Sequence, residues 1–380
     1  MLIANKIELR PTPEQADSLN HACGARRHCY NQLLAHFSQD GVKWSKATAY
    51  PYYMKVLRVQ FPWYAEVSSR VTRNAIDDLD NAFRHFFRRV KNGEKSGYPQ
   101  FKKKDVNDAF ALREEAKFDV EGRELRIEKL KTRIKMRQPL RWTGKTKQLT
   151  ISKKAGRYYV SVLLETEDYN PHNPEQASVG VDFGIKELAT LSTGEVIPAN
   201  QKLKKNLKLL KRRQRNWSRK VKGSQRRAKA KLSVAKLHQR ISNQRAAVLH
   251  ELSDKLTRTY QVITIEDLNV KGMTKNRKLA RVIADAGFGE LRRQIEYKAH
   301  WRGVTVVIAH RFFPSSKMCH VCSQVHDMPL DKRIMACDCG NVLDRDLNAA
   351  RNLDQYGLDA LKPDLKRALE SCQTVASAAA

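Results

Sequence analysis

No run of about 18 apolar residues occurs in these 380 residues, which excludes a membrane-spanning helix. The opening stretch Met1–Arg10 lacks the long apolar segment of a signal peptide. Cysteine is scarce: there are seven, an odd number, and four fall within residues 319–339, which speaks against a disulfide framework and for a reducing, cytosolic setting. Cys23, Cys29 and Cys372 stand apart; the first two lie in helical sequence, where a free thiol behaves as a small buried hydrophobe. Acidic residues are in short supply as well, 40 against 72 Lys and Arg, for a net charge of +32. Such a surplus suits a nucleic-acid binder, or else a membrane-surface protein, for which no apolar segment speaks. With 41% hydrophobic residues the chain can fold around two or three cores.

Residues 1–10 alternate as a strand, with Ile3, Ile7 and Leu9, and Pro11-Thr12-Pro13 ends it. From Glu14 to about Val90 the spacing is helical: Val71, Ala75, Ile76, Leu79, Ala82, Phe83, Phe86 and Val90 recur at three and four residues. Phe83 and Phe86 read as bundle core rather than stacking platforms for bases. Arg84, Arg88, Arg89 and Lys91 on the opposite face suit phosphates or a solvated surface. After a turn-rich connector at 92–99, residues 116–165 read as β-structure, with Leu149–Ile151 pairing with Tyr158–Leu164 around Ala155-Gly156. Together with the N-terminal strand these could close a small barrel from which the helices project. A polar connector, Asp168–Gln176, ends this half.

Beyond it, Val179–Lys186 carries one carboxylate, Asp182, in apolar strand sequence, where an unpaired charge costs several kcal/mol. Taken singly, such an Asp more often caps a turn or pairs with a Lys. Between Glu195 and Glu251 no acid occurs while 18 Lys and Arg accumulate. Leu203, Leu207, Leu210 and Trp217, a break at Gly223-Ser224, then Leu232, Leu237, Ile241 and Leu249 give a basic helical hairpin. Like charge of that length calls for an anionic partner. Val262–Asn269 is a strand ending in Glu266, with Asp267 a candidate turn cap. A helix from about Ala284, with Phe288, Leu291 and Ile295 on one face, and a strand Val304–Ala309 follow.

Cys319-x-x-Cys322 and Cys337-x-Cys339 supply four thiolates suited to tetrahedral zinc in a closed, structural site. The second pair is one residue shorter than usual, and His320 and His326 are alternative ligands. Asp344 and Asp346 follow at a helix start, where one of the two is accounted for as an N-cap. Three acids remain, Asp182, Glu266 and Asp346, each at the edge of an α/β element. Converging carboxylates are what a pair of Mg²⁺ ions needs to hydrolyse a phosphodiester, and Mn²⁺ would satisfy the same oxygens.

The order Val181-Asp182-Phe183-Gly184, Ile265-Glu266-Asp267-Leu268, the cysteine knuckle and Asp344-Arg345-Asp346-Leu347-Asn348-Ala349 resembles the RuvC-like domain of TnpB (OrfB) proteins, transposon-encoded ancestors of type V CRISPR effectors. Pro11–Gln15, Arg27 with Tyr30-Asn31, and Gly97–Lys102 extend the resemblance to nearly the whole chain. It implies a multidomain α/β plus β-barrel architecture. Residues 1–172 would form a wedge-like barrel with a helical recognition insert at about 13–95. Residues 173–356 would form an RNase H-like (RuvC) domain carrying the basic hairpin at about 200–255 and a zinc ribbon at about 316–341. Residues 357–380 would be a flexible tail. The implied activity is RNA-guided DNA cleavage beside a short flanking motif, with Asp182, Glu266 and Asp346 catalytic and Asp346 preferred to Asp344 as the ligand. Guide RNA and double-stranded target DNA are the implied partners, and a monomer in the prokaryotic cytosol and nucleoid the implied setting. The alternatives are a cleavage-inactive RNA-guided binding protein and an RNase H-fold transposase.

Overall fold

Inward-facing Ile3, Ile7 and Leu9 make Leu2–Arg10 a strand, β1, buried on one face. Thr12 stops it and starts α1 (Pro13–Phe37) through a capping box with Gln15, with Pro13 in the first turn. A computed structural model describes residues 1–167, 176–329 and 331–361. The chain divides into two units, Met1–Asp168 and Tyr169–Ala380.

In the first unit α1 is followed by α2 (Lys46–Tyr52), α3 (Arg58–Gln60) and α4 (Ser69–Lys91), then by the strands β2 (Ala109–Leu112), β3 (Phe118–Glu121), β4 (Glu124–Ile127), β5 (Ile134–Met136), β6 (Lys145–Lys154) and β7 (Arg157–Glu165). The antiparallel sheet runs β2-β6-β7-β1-β5-β4-β3, and the expected pairing of Leu149–Ile151 with the 158–164 run is present. Both edge strands place side chains, Phe110 and Phe118, in the same core, so the sheet curls into a barrel-like form short of closure. The N-terminal half of α1 packs on this sheet through Leu19, Ala22 and Cys23. Its C-terminal half packs through Cys29, Leu33 and Phe37 on α4.

Phe83 is core as expected, but the stripe on α4 ends there: Phe86 is half-buried, and Phe87 and Val90 are 56% and 52% exposed, where the helix outruns its partners. Helical structure is also not continuous over 14–90, since a loop at 38–45 and a Pro62–Glu66 turn of 3₁₀-helix interrupt it. The runs at Arg27–Asn31 and Gly97–Lys102 meet. Asn31 accepts from the Lys102 N–H at 2.8 Å and donates to its carbonyl at 3.0 Å, while the Lys102 ammonium sits 4.0 Å over the Tyr30 ring. Arg27 pairs with Asp108 at 2.7 Å.

In the second unit β8 (Gln176–Asp182), β9 (Glu187–Leu191) and β10 (Val196–Pro198) form an antiparallel meander; β11 (Tyr260–Glu266) and β12 (Thr305–Ala309) add parallel to β8, in the order β10-β9-β8-β11-β12. The connection from the meander to β11 is the basic hairpin, α5 (Lys202–Ser218) and α6 (Gln225–Thr259), joined through Leu210, Val234, Leu237 and Ile241. Leu232, expected on the apolar face, is 37% exposed; Val234 takes the buried place. The helix expected from about Ala284 is broken by Gly287, in left-handed conformation, into α8 (Ala280–Ala286) and α9 (Phe288–Arg302), preceded by the short α7 (Val270–Met273). β13 (Ile334–Ala336) and β14 (Val342–Asp344) form a two-stranded ribbon that leads into α10 (Arg345–Ala360). α10 runs past residue 357, so 357–360 are helix and not tail. Residues 168–175 and 362–380, which hold most of the expected connector, most of the expected tail and Cys372, lie outside the described residues.

Candidate active site and thiol cluster

Strand periodicity decides where the acids point. Val179 and Val181 of β8 and Ile263 and Ile265 of β11 are buried against α6 and α9. Gly180 and Thr264, paired in register, therefore face the other way, toward α10. Asp182 and Glu266 share their parity and end the two parallel strands side by side, on the face that α10 covers. The carboxyl ends of parallel strands are where open α/β sheets bind ligands. From above, Asp344 caps α10 by accepting from the N–H groups of Asp346 at 2.9 Å and Leu347 at 3.2 Å, so the Asp346 carboxylate, 3.9 Å from Arg333, is not used up by the cap.

Asp182 feels the other two acids. Burial pushes the Asp182 carboxyl well above its usual range, and the charges of Glu266 and Asp346 push it further, while Arg345 opposes. Burial also raises Glu266, against a hydrogen bond from Ser315. Crowded, desolvated carboxylates of this kind offer hard oxygen ligands that a divalent cation would relieve. Asp267 is different: Arg292 and Arg311 hold it, at 2.7 and 2.5 Å, and keep its carboxyl low; Asn269, not Asp267, caps the following turn.

Sγ atoms of Cys319, Cys322, Cys337 and Cys339 lie within 4.8 Å of one another, with 3.7 Å between Cys319 and Cys339 and 3.4 Å between Cys322 and Cys337. A tetrahedron of about 2.3 Å metal–sulfur bonds has edges of about 3.8 Å, so the cluster fits one zinc-sized ion. Against burial, which raises it, the N–H groups of Cys322 and Val321 and the Asn341 amide pull the Cys319 thiol down to about 6. His320 is turned to Asn348, Asn341 and Arg351 and is not in the cluster, nor is His326. Among the described residues the three carboxylates form no cluster of that tightness. Cys23 and Cys29 are buried, and burial pushes both thiols up to about 12, as small hydrophobes should behave.

Several residues of the site carry no signal that sequence reading could have used. Ser315 lies in a Pro-Ser-Ser turn, Asn352 is one amide among many in a helix, and Asp354 is met only because α10 brings it to Ser192 at 3.0 Å. Arg345 is buried, with its guanidinium on the Pro329 carbonyl at 3.0 Å and Ser316 at 3.3 Å.

Three family models match the chain. One described as "Probable transposase", of the OrfB proteins of IS605, matches residues 161–277; "Cas12f1-like, TNB domain" matches 288–353; and a "Helix-turn-helix domain" matches 1–39, although those residues fold as β1 and the single helix α1. A Streptomyces pristinaespiralis protein named "Putative RNA-guided DNA endonuclease" is 38% identical, over 94% of this chain and 90% of its own length. The Escherichia coli (strain K12) protein named "Putative RNA-guided DNA endonuclease InsQ" is 31% identical over 93% and 91%. Among solved structures, a Cas12f1 chain in complex with sgRNA and target DNA shares the fold, with a TM-score of 0.58 at 14% identity over 90% of this chain and 83% of that one. Identity at this level over nearly the full length of both chains means that the chain belongs to the TnpB (OrfB) family of insertion-sequence proteins.

Proposed function

We propose that this protein is an RNA-guided DNA endonuclease that hydrolyses phosphodiester bonds of target DNA beside a short flanking motif. The observation that carries the reading is the convergence of Asp182, Glu266 and Asp346, far apart in sequence, on the α10 face of two parallel strand ends. The relatives' names and the fold shared with an effector bound to sgRNA and target DNA support guide RNA and double-stranded DNA as partners. On this reading the second unit is an RNase H-like (RuvC) domain with an inserted zinc ribbon, and the first a wedge-like barrel with a helical recognition insert.

Asp182, Glu266 and Asp346 would hold two Mg²⁺ ions. Such ions, when bound, would supply an activated water and charge neutralisation at the leaving oxygen. The protein's own residues bind and orient: Arg345 balances part of the acids' charge, and the α10 N-terminus lies beside Asp346. The four cysteines would hold zinc and order the ribbon. None of the 18 Lys and Arg of the α5–α6 hairpin stretch is buried, and most are exposed, as a phosphate-tracking surface requires. Base pairing with the guide would then carry sequence specificity. No helix among the described residues is long and apolar enough to cross a membrane, and we take the protein to act as a monomer in the prokaryotic cytosol and nucleoid.

The description of one matched family as transposase favours a second reading, in which the same acids join DNA strands. One experiment separates them. The protein is purified from its host, its bound RNA sequenced, and the complex given matching DNA with Mg²⁺ or with EDTA. A defined RNA and metal-dependent, guide-directed cuts are expected; strand joining without discrete RNA would establish the transposase.

A further inference from the structure

Glu266 is held from outside its own strand. Ser315 Oγ donates to Glu266 Oε1 at 2.8 Å, and Ser315 is 4% exposed, so water does not compete for that bond. Among the described residues Oε2 accepts from no side chain and is the oxygen left for an ion. Ser315 belongs to the turn after β12, which closes on itself through backbone bonds such as the Met318 N–H to the Pro314 carbonyl at 2.9 Å, and α10 holds the same turn from outside. Asn352 Nδ2 donates to the Ser315 carbonyl at 2.7 Å and to the Met318 carbonyl at 2.6 Å. One helical turn earlier, Asn348 Nδ2 donates to the same Met318 carbonyl at 2.7 Å, and its Oδ1 accepts from the His320 N–H at 3.1 Å. His320 sits between Cys319 and Cys322. A continuous set of buried and half-buried hydrogen bonds thus runs from the thiol knuckle, through the two amides of α10, to one oxygen of Glu266.

Satisfying loop carbonyls would by itself account for the two asparagines. It does not account for a buried hydroxyl aimed at the acid, because a turn serine could equally bond its own backbone. We propose, resting on the nuclease reading above, that Ser315 is a positioning residue that fixes the Glu266 carboxylate for its divalent ion, and that Asn348 and Asn352 make that position depend on the folded cysteine ribbon. Hydrogen-bonded partners of ligating carboxylates set metal affinity, and losing one weakens binding by about 10- to 100-fold.

The test is Mn²⁺ binding to the full-length protein with its RNA and without DNA, read as free Mn²⁺ by electron paramagnetic resonance, alongside melting temperature and zinc content. Ser315→Ala should bind Mn²⁺ about 10-fold more weakly, with RNA content, zinc and melting unchanged, and cleavage should need more Mg²⁺ yet recover at saturation. Ser315→Cys, the same shape with a weak donor, should fall between, and it carries the test if the alanine variant does not fold. Asn348→Ala, which touches neither acid, should shift Mn²⁺ affinity in the same direction. Unchanged affinity in both Ser315 variants overturns the positioning role, and unchanged affinity in Asn348→Ala removes the ribbon from it. Glu266→Gln is the control: if it binds Mn²⁺ like the unsubstituted protein, the nuclease site itself is misassigned, whereas loss in Glu266→Gln but not in Ser315→Ala sinks this inference alone.

Discussion

Gly357 of α10 rests directly on Thr264 of β11: a Cβ at Gly357 would coincide with the Thr264 hydroxyl. Beside Thr264, its register neighbour Gly180 makes the reciprocal contact, since a Cβ there would run into the Ala350 carbonyl and the Asp354 N–H of α10. One notch on the helix and one on the sheet let α10 lie close enough to bring Asp346 to Asp182 and Glu266.

This close approach reverses the ordinary sign of a helix substitution. Gly→Ala inside an exposed helix stabilises by about 1 kcal/mol. Gly357→Ala should instead destabilise, by about 1–3 kcal/mol of overpacking. Gly180→Ala should cost more, because its obstacle is backbone, while the Thr264 hydroxyl can rotate aside. Thermal melting of the two variants checks both the sign and the order.

Asp182→Asn should stabilise the metal-free protein while abolishing cleavage. The folded state holds the Asp182 carboxyl well above its usual range. Below the ordinary carboxylate pKa both states are protonated and nothing is lost. As pH rises from there toward the raised folded value, the unfolded chain ionises and the folded one resists, so stability falls. Melting curves in EDTA should show the unsubstituted protein losing stability across that range and Asp182→Asn losing less. An identical pH dependence would mean that the carboxylate is not under this strain.

Zinc should be present at one ion per chain by atomic emission. Cys319→Ser, at the buried corner of the cluster, should lose it and lower the melting temperature, because a closed site contributes folding energy. A zinc-free variant as stable as the original would contradict a structural role.

Charge on the hairpin can be tested apart from the acids. Lys208, Arg212 and Arg215 are exposed on α5. Replacing each by Gln should lower the slope of log affinity against log salt by roughly 0.7–0.9 for every phosphate that is no longer neutralised. RNA and DNA titrations run in parallel would show which strand the face serves, and Mn²⁺ binding should stay unchanged. No change of slope with either nucleic acid would leave this a merely solvated face.

Much of this molecule can be read along one dimension. Alternation makes β1 and the 149–164 hairpin visible, and Pro11-Thr12-Pro13 marks where β1 ends. The short strand β2 lay outside the stretch read as β-structure, because four residues hold too few periods to stand out from a loop. Val90 and Leu232 were misleading for a related reason: an apolar residue in helical register is buried only if another element arrives to cover it. Arg27, Tyr30 and Asn31 stood out as a motif, but only the fold shows that Tyr30 and Asn31 grip Lys102 while Arg27 pairs with Asp108.

At the site the division is sharper. By itself the sequence determined which groups are the candidates: four thiols at knuckle spacing, acids where apolar strands end, and a long stretch with no acid at all. Those facts are local, since a charge in an apolar strand is costly wherever that strand goes. Tertiary structure decided which acids meet, which is excluded, and what orients them. Asp182 and Glu266 share a face because two parallel strands lie in register, Asp346 reaches them because two glycines admit α10, and Asp267 is removed by two arginines. Ser315 finds Glu266 through amides 33 and 37 residues further along the chain. Packing and register are relations between distant segments, and no residue's own chemistry contains them.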